Sequence, residues 1–333
     1  MSFHRIAYVM DHSMHTVTEE DARRLTHINL AFALLKDGAL DLSQLTNIHR
    51  IEAFRIWNPQ LKIVLSVGGW ACDGFSQAAM TESGRRKFAA SCQEAVTKYH
   101  LDGIDIDWEY PCSDAAGIAA DPRDKENFTL LLQAIRDAIG KDMLLSVAMG
   151  ADQSCADNTE MDKVSQILDY VQLMTYDMCN GFSTRSGHHA ALSPSKGDSS
   201  KNNTRAVVEL YHKAGVPYEK MVIGAAFYAR HFEVETNENN GLLQPSGPGI
   251  SHASYHHITP AYLVEHGYNR FWDEDAEAEW LWNGKTFVSY ENAEAIRRKS
   301  AYTKGKGLAG LMYWEHGHDN TKELLGIIAE ILA

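Results

Sequence analysis

The stretch DGIDIDWEY, residues 102–110, places four acids within eight residues of an otherwise apolar run. A carboxylate in an apolar strand must be paired, protonated or put to use. Asp105, Asp107 and Glu109 lie two apart, so in an extended chain they face one way, while Ile104, Ile106 and Trp108 face the other. Like charges that close cannot all stay ionised cheaply. Their pKa values are pushed apart, and such sets are where acid and base roles are found. A protonated Glu109 beside an ionised or proton-sharing Asp107 would be a general acid with a charge stabiliser behind it. Two other readings compete. One is a row of buried acids satisfied by helix or backbone donors. The other is a divalent cation, Mg²⁺ or Ca²⁺, held by oxygen ligands.

The elements around this stretch say where it sits. Strand-like runs rich in β-branched and large apolar residues recur at 5–10, 27–35, 61–69, 101–108, 143–150, 170–176, 221–229 and 307–314. Amphipathic segments of helical spacing separate most of them. In 83–100, Ser83 reads as the N-cap and Phe88, Cys92, Val96 and Tyr99 form one stripe. In 126–140, Phe128, Leu131, Leu132, Ile135 and Ile139 do the same before Gly140, and 203–215 also ends on glycine. Eight strands alternating with helices predict an α/β fold, a (β/α)₈ TIM barrel. The competitor is a doubly wound open sheet, but no Gly-rich phosphate loop follows the first strand to favour it. About eighty residues separate the seventh and eighth runs. Thr259-Pro260 there reads as a helix start, and Asn283-Gly284 as a hairpin turn. The expectation is a barrel over 1–230 and 291–333 with a small α+β insertion over 231–290, between strands 7 and 8. Residues 177–205 read as an exposed loop. Inside a barrel the three acids face the interior, and Glu109 lies nearest the end where barrel enzymes place their chemistry.

Composition narrows the classes. The 333 residues are 44% hydrophobic and 23% charged, an ordinary globular balance, and the net charge is −13. That charge argues against nucleic acid or an anionic membrane as partner. No run approaches the ~18 apolar residues of a membrane span. The N-terminal MSFHRIAYVMDHSM has no apolar stretch with a small-residue cleavage site, so the expectation is a cytoplasmic protein, or a secreted one if a leader was removed. The five cysteines, Cys72, Cys92, Cys112, Cys155 and Cys179, form no CxxC pair and read as free buried thiols. Since four of them follow strand ends, Cys72–Cys112 or Cys155–Cys179 bridges are the alternative.

DGIDIDWEY resembles the DxxDxDxE signature of the family 18 glycoside hydrolases, the chitinase family, with Asp102, Asp105, Asp107 and Glu109 in its four acidic places. SVGGW at 66–70 is similar to the family's third-strand SxGG motif, QLMTYD at 172–177 to its sixth-strand motif, and YWEHGHD at 313–319 to its eighth. The resemblance covers nearly the whole chain. It implies hydrolysis of β-1,4 bonds in chitin or N-acetylglucosamine oligosaccharides by a retaining, substrate-assisted route, with no metal or other cofactor. In that route Glu109 protonates the glycosidic oxygen, and the substrate's own acetamido oxygen attacks to form an oxazolinium ion. Asp107 orients the acetamido nitrogen, backed by Asp105. Tyr176 hydrogen-bonds the acetamido oxygen, and Asp177 supports the distorted sugar. Trp314 floors the reacting subsite and Trp70 lies on the leaving-group side, since sugar rings stack on aromatic faces. Tyr8, Phe32, Met174 and Arg230 resemble further binding residues, Arg230 as the seventh-strand arginine. Phe182 reads either as lining the product side or as loop packing. The insertion is expected to raise one wall of a cleft, and a deep cleft favours processive or chain-end action. No appended chitin-binding module is visible, which favours soluble oligomers.

Ala229 departs from the family, where glycine is common. His316 and His318, and the cluster His252, His256 and His257, read as solvated loop histidines without a fixed carboxylate partner, with metal ligation as the alternative. Two other functions stay open: an endo-β-N-acetylglucosaminidase acting on N-glycans, and a chitin-binding lectin-like relative. The presence of Glu109 argues against the second.

Overall fold

The computed structural model describes residues 3–200 and 202–333. The strands are β1 (His4–Met10), β2 (His27–Lys36), β3 (Ala39–Asp41), β4 (Lys62–Gly68), β5 (Gly103–Asp107), β6 (Leu144–Gly150), β7 (Tyr170–Met174), β8 (Met221–Ala226), β9 (Tyr228–Glu233), β10 (Ile250–Ser254), β11 (Asn269–Asp273), β12 (Ala278–Trp282), β13 (Thr286–Tyr290) and β14 (Gly310–Trp314). Parallel pairing runs β1-β14-β8-β7-β6-β5-β4-β2, and β2 pairs with β1, so the sheet closes. This is the (β/α)₈ barrel expected, and closure removes the open-sheet alternative. β3 adds a short antiparallel hairpin to β2.

The strands are buried on both faces, as parallel strands under covering helices must be. Ile104, Ile106 and Trp108 point outward into the helix layer, where the Trp108 ring stacks on Phe75 at 5.3 Å and meets Phe128 edge-on at 5.4 Å. Phe88, Cys92 and Val96 on the helix Glu82–Tyr99 fill the same layer. That helix begins two residues earlier than its spacing suggests. Thr81, not Ser83, caps it, its hydroxyl accepting from the Gly84 amide at 3.0 Å. Ser83 falls inside the first turn and hydrogen-bonds the Thr81 hydroxyl.

A second sheet, antiparallel and ordered β10-β9-β13-β12-β11, stands between β8 and β14. Thr259 caps the helix Pro260–His266 with proline in its first turn. Asn283 builds the β12–β13 turn, its side-chain oxygen accepting from the amides of Lys285 and Thr286. The seventh strand-like run breaks at Phe227: β8 stops at Ala226 and β9 turns into the second sheet. Arg230 is therefore carried by the insertion sheet and not by a barrel strand. Nor is the 177–205 loop uniformly exposed. Ser186 to Leu192 are buried, because the His189 amide donates to Ser289 on β13 and the Ser193 amide to Ala276.

All five cysteines are free thiols. Neither alternative bridge forms: the Cys72 thiol turns to the Asp73 carbonyl, that of Cys112 to the Pro122 carbonyl, and that of Cys155 to the Asp152 carboxylate. Cys92 and Cys155 are buried, and the other three are half-buried. No helix among the described residues is long and apolar enough to cross a membrane.

Candidate active site

The acidic strand is β5, and its register sorts the acids. Asp102, just before the strand, takes no part in the site. Its carboxylate accepts from Lys62, Arg55 and the Ile63 amide at the start of the strands. Asp105 points into the barrel and is fully buried. Four donors from four other strands converge on it: Tyr8 of β1 at 2.8 Å, Ser66 of β4 at 2.7 Å, Ser146 of β6 at 2.7 Å and Gln172 of β7 at 2.8 Å. Burial pushes its pKa up, and the four donors pull against that. The first alternative, buried acids satisfied by donors, thus describes Asp105 but not its neighbours.

Asp107, one layer nearer the open end, is buried with Oδ1 lacking any partner. Burial first, then the charges of Glu109 and Asp105, push its pKa well above the usual carboxylate value. Glu109 at the mouth is half-buried. Burial raises its pKa to about 7, with Tyr110 hydrogen bonding opposing the rise and Asp177 adding to it. A carboxyl poised there can give and take a proton near neutral pH.

Close approach of the neighbouring strand shapes this end. A Cβ at Gly68, whose φ is 121°, would sit 2.0 Å from the Asp107 carbonyl oxygen. Only glycine lets β4 and β5 meet so closely. The Gly69 amide then donates to that carbonyl at 2.9 Å.

The aromatic residues gather at the same end. Trp314 closes β14 half-buried, stacked on Phe32 at 5.5 Å with Tyr8 at 5.8 Å. Met174 is buried in the same cluster, with Tyr176 and Tyr110 packed against it. Trp70, past Gly69, is 55% exposed, and Phe182 is 73% exposed, so loop packing does not account for Phe182. Tyr176 packs edge-on to Tyr228 and over Gly224. Asp177 is gripped by both Nε and a terminal nitrogen of Arg230, the latter at 2.6 Å, with His189 Nδ1 at 3.4 Å. Burial works to raise its pKa, but Arg230 and His189 hold it well below the usual carboxylate range.

Ser66, Ser146, Gln172 and His189 carry this architecture and were not singled out from sequence. A signal for the first three exists: each is a lone polar side chain in an apolar barrel strand, and Ser66 and Ser146 both pair with Asp105 in register.

The histidines of the last loop have carboxylate neighbours, and His316 is buried while His318 is half-buried. His316 lies 3.6 Å from Asp21, with its other ring nitrogen 2.9 Å from the Tyr313 hydroxyl. His318 lies 3.6 Å from buried Glu315. The loop folds back on the rim, and His256 Nδ1 approaches the His318 carbonyl at 2.9 Å. The His257 ring lies tilted against that of His256 at 4.1 Å, and the side chain of His252 lies outside the described residues. Among the described residues, no group of three or more His, Cys, Asp or Glu is arranged to hold a metal ion.

Comparison with known proteins agrees with this geometry. Residues 4–319 match the model of a family described as Glycosyl hydrolases family 18. The chain is 36% identical over 303 residues to Chitinase A1 of Niallia circulans, covering 84% of this chain and 43% of that protein. It is 30% identical over 327 residues to Chitotriosidase-1 of Mus musculus, covering 91% and 68%. This chain thus spans less than half of the first relative. Among solved structures, a family 18 N-acetylglucosaminidase from Paenibacillus barengoltzii superposes with a TM-score of 0.95 at 44% identity, covering 99% of both chains. A Group IV chitinase of Ostrinia furnacalis in complex with allosamidin superposes at 0.90 with 25% identity, covering 100% of this chain and 99% of that one.

Proposed function

The chain belongs to family 18 of the glycosyl hydrolases, and from that premise we propose that it hydrolyses β-1,4 bonds between N-acetylglucosamine units with retention. The observation that carries this is the graded acid row. Asp105 is fixed by four donors, Asp107 behind the mouth is pushed toward its protonated form, and Glu109 is poised near pH 7 at the end where the aromatic residues gather. Glu109 gives its proton to the glycosidic oxygen as that bond breaks. The acetamido oxygen of the same sugar bonds to the anomeric carbon and forms an oxazolinium ion. Asp107 orients the acetamido N–H, and Tyr176 hydrogen-bonds the oxygen. Glu109, now ionised, takes a proton from water as the water oxygen bonds to the anomeric carbon and the bond from that carbon to the acetamido oxygen breaks, which restores the N-acetyl sugar. Trp314 and Phe32 stack under the reacting sugar, with Tyr8 and Met174 behind them, and Trp70 meets the leaving side. Asp177, aligned by Arg230, braces the distorted ring.

Because Glu109 must hold its proton to act, kcat/KM falls as pH rises through about 7. A pH–rate profile on a chitobiose fluorogenic glycoside checks this. A basic limb more than a unit or so away contradicts the assignment of Glu109 as the acid.

A second reading concerns the products. The 44% identical Paenibacillus barengoltzii protein, matched along its full length, is described as an N-acetylglucosaminidase. That favours release of single N-acetylglucosamine units from chain ends. Chromatography of a short chitotetraose digest tests both readings. N-acetylglucosamine with chitotriose as first products supports chain-end release, chitobiose alone supports internal or two-sugar cleavage, and an untouched tetramer removes the hydrolase reading. Cleavage of a high-mannose glycoprotein in preference would favour the N-glycan alternative.

A further inference from the structure

A buried lysine–glutamate pair lies directly behind the wall that carries Tyr176 and Asp177. Lys299, on the helix Ala293–Lys306, has a side chain 1% exposed, and Glu291, just past β13, one 4% exposed. Lys299 Nζ is 2.9 Å from Glu291 Oε1 and donates to the backbone carbonyls of Gly224 at 2.8 Å and Thr175 at 3.3 Å. The other oxygen of Glu291 accepts from the Ala226 amide at 2.6 Å. These contacts begin where the strand ladder stops. β7 and β8 pair in register at Val171, Gln172 and Leu173 with Met221, Val222 and Ile223. Beyond that, the Thr175 hydroxyl bridges both the Gly224 amide and carbonyl, and Lys299 bridges the two carbonyls. Thr175 immediately precedes Tyr176, whose ring lies so close over Gly224 that a Cβ there would come within 2.7 Å of it.

As a source of stability this pair is a poor choice. Removing two charges from water costs about as much as their attraction returns, and apolar replacement of such pairs is often neutral or better. What an apolar pair cannot do is hold two carbonyl groups of neighbouring strands at a fixed separation. We propose that Lys299 is a positioning residue for Tyr176 and Asp177: its ammonium grips the Thr175 and Gly224 carbonyls where the ladder ends, and Glu291 supplies the charge that lets it be buried. Glu291 stands where the insertion sheet returns to the barrel, so the insertion is tied through this pair to the strand ends that carry Tyr176.

The kinetic part of the test rests on the hydrolase reading; the structural part does not. Lys299→Met leaves Glu291 charged and unpaired, and its Tm falls well below wild type. Lys299→Met with Glu291→Gln removes the stranded charge, keeps an acceptor for the Ala226 amide, and recovers most of that Tm. The tether is still missing, so kcat on chitotetraose stays down by about a hundredfold, the scale of an ångström-sized misplacement, with KM little changed. A crystal structure of the double variant shows Tyr176 displaced. Recovery of kcat together with Tm, or an unmoved Tyr176, overturns the proposal. If the wild-type protein cleaves no N-acetylglucosamine oligomer, the hydrolase reading fails. The position of Tyr176 in the double variant then decides the tether alone, displacement supporting it and an unmoved ring overturning it.

Discussion

Glu109→Gln lowers kcat on chitotetraose toward the upper end of the roughly 10²–10⁴-fold range of general acid–base catalysis, because one side chain serves both proton transfers. The amide keeps the size and shape of the carboxyl, so oligomer binding survives with a similar Kd. Steady-state kinetics beside calorimetric titration of chitotetraose measure the two effects, and a variant that turns over near the wild-type rate rejects Glu109 as the acid. Stability moves the opposite way. Burial raises the Glu109 pKa from 4.5 to about 7. Between those values the folded protein holds a proton that the unfolded chain has lost, so the wild type loses stability as pH rises across that window. Glutamine imitates the protonated form and carries no such loss. The variant therefore melts higher than wild type at pH 8, with the gap closing below about pH 5. A catalytic residue whose removal stabilises the fold is one held in place at a cost.

The barrel and the acid row were legible in the sequence because both depend on period. Alternation over 102–110 fixes which way Asp105 and Glu109 face, and the apolar runs repeat at intervals that only alternating helices explain. Where the reading failed, the deciding contacts come from distant residues. Nothing near Arg230 says that the chain leaves the barrel at Phe227. The deciding partners are the strands of a sheet whose other members lie up to sixty residues away. The 177–205 loop has the composition of an exposed segment, yet its middle is buried by that same sheet. Ser83 and Thr81 are both capping residues, and the choice between them turns on where the preceding turn ends. His189 is the instructive omission. It stands twelve residues past Asp177 in a loop of no regular period, and only the folded loop brings it to the carboxylate. Ser66, Ser146 and Gln172 could have been found from the requirement that a buried carboxylate be satisfied, applied to neighbouring strands at the level of Asp105.

An N-acetyl group on the sugar being transferred is required for cleavage. Oligomers of glucosamine or glucose are cut at least about a thousandfold more slowly, a modest part of the roughly 10⁵–10⁸ M effective molarity that a well-placed internal nucleophile can reach. In the proposed substrate-assisted route no carboxylate serves as nucleophile, and the acid row fits that. A retaining glycosidase ordinarily uses a second carboxylate as nucleophile. Asp105 is sealed in the barrel with four donors on it. Asp107 is pushed toward its protonated form by burial and by Glu109, which weakens it as a nucleophile and suits it to partner an amide. Asp177 stays ionised, but Arg230 and His189 occupy its oxygens. Glu109 is committed to the leaving group. In the proposed route the substrate's acetamido oxygen makes the bond, with Asp107 and Tyr176 aligning it. A thiazoline analogue of the oxazolinium ion accordingly inhibits competitively, and Asp107→Ala weakens that inhibition more than it weakens binding of the unreacted oligomer, since the aligned acetamido group exists only in the former. Rates on chitotetraose and its fully deacetylated counterpart, with thiazoline inhibition constants for both proteins, decide the matter. Comparable cleavage of the deacetylated oligomer, or indifference to the thiazoline, would return the nucleophile to a carboxylate and break the division of labour read from residues 105–109.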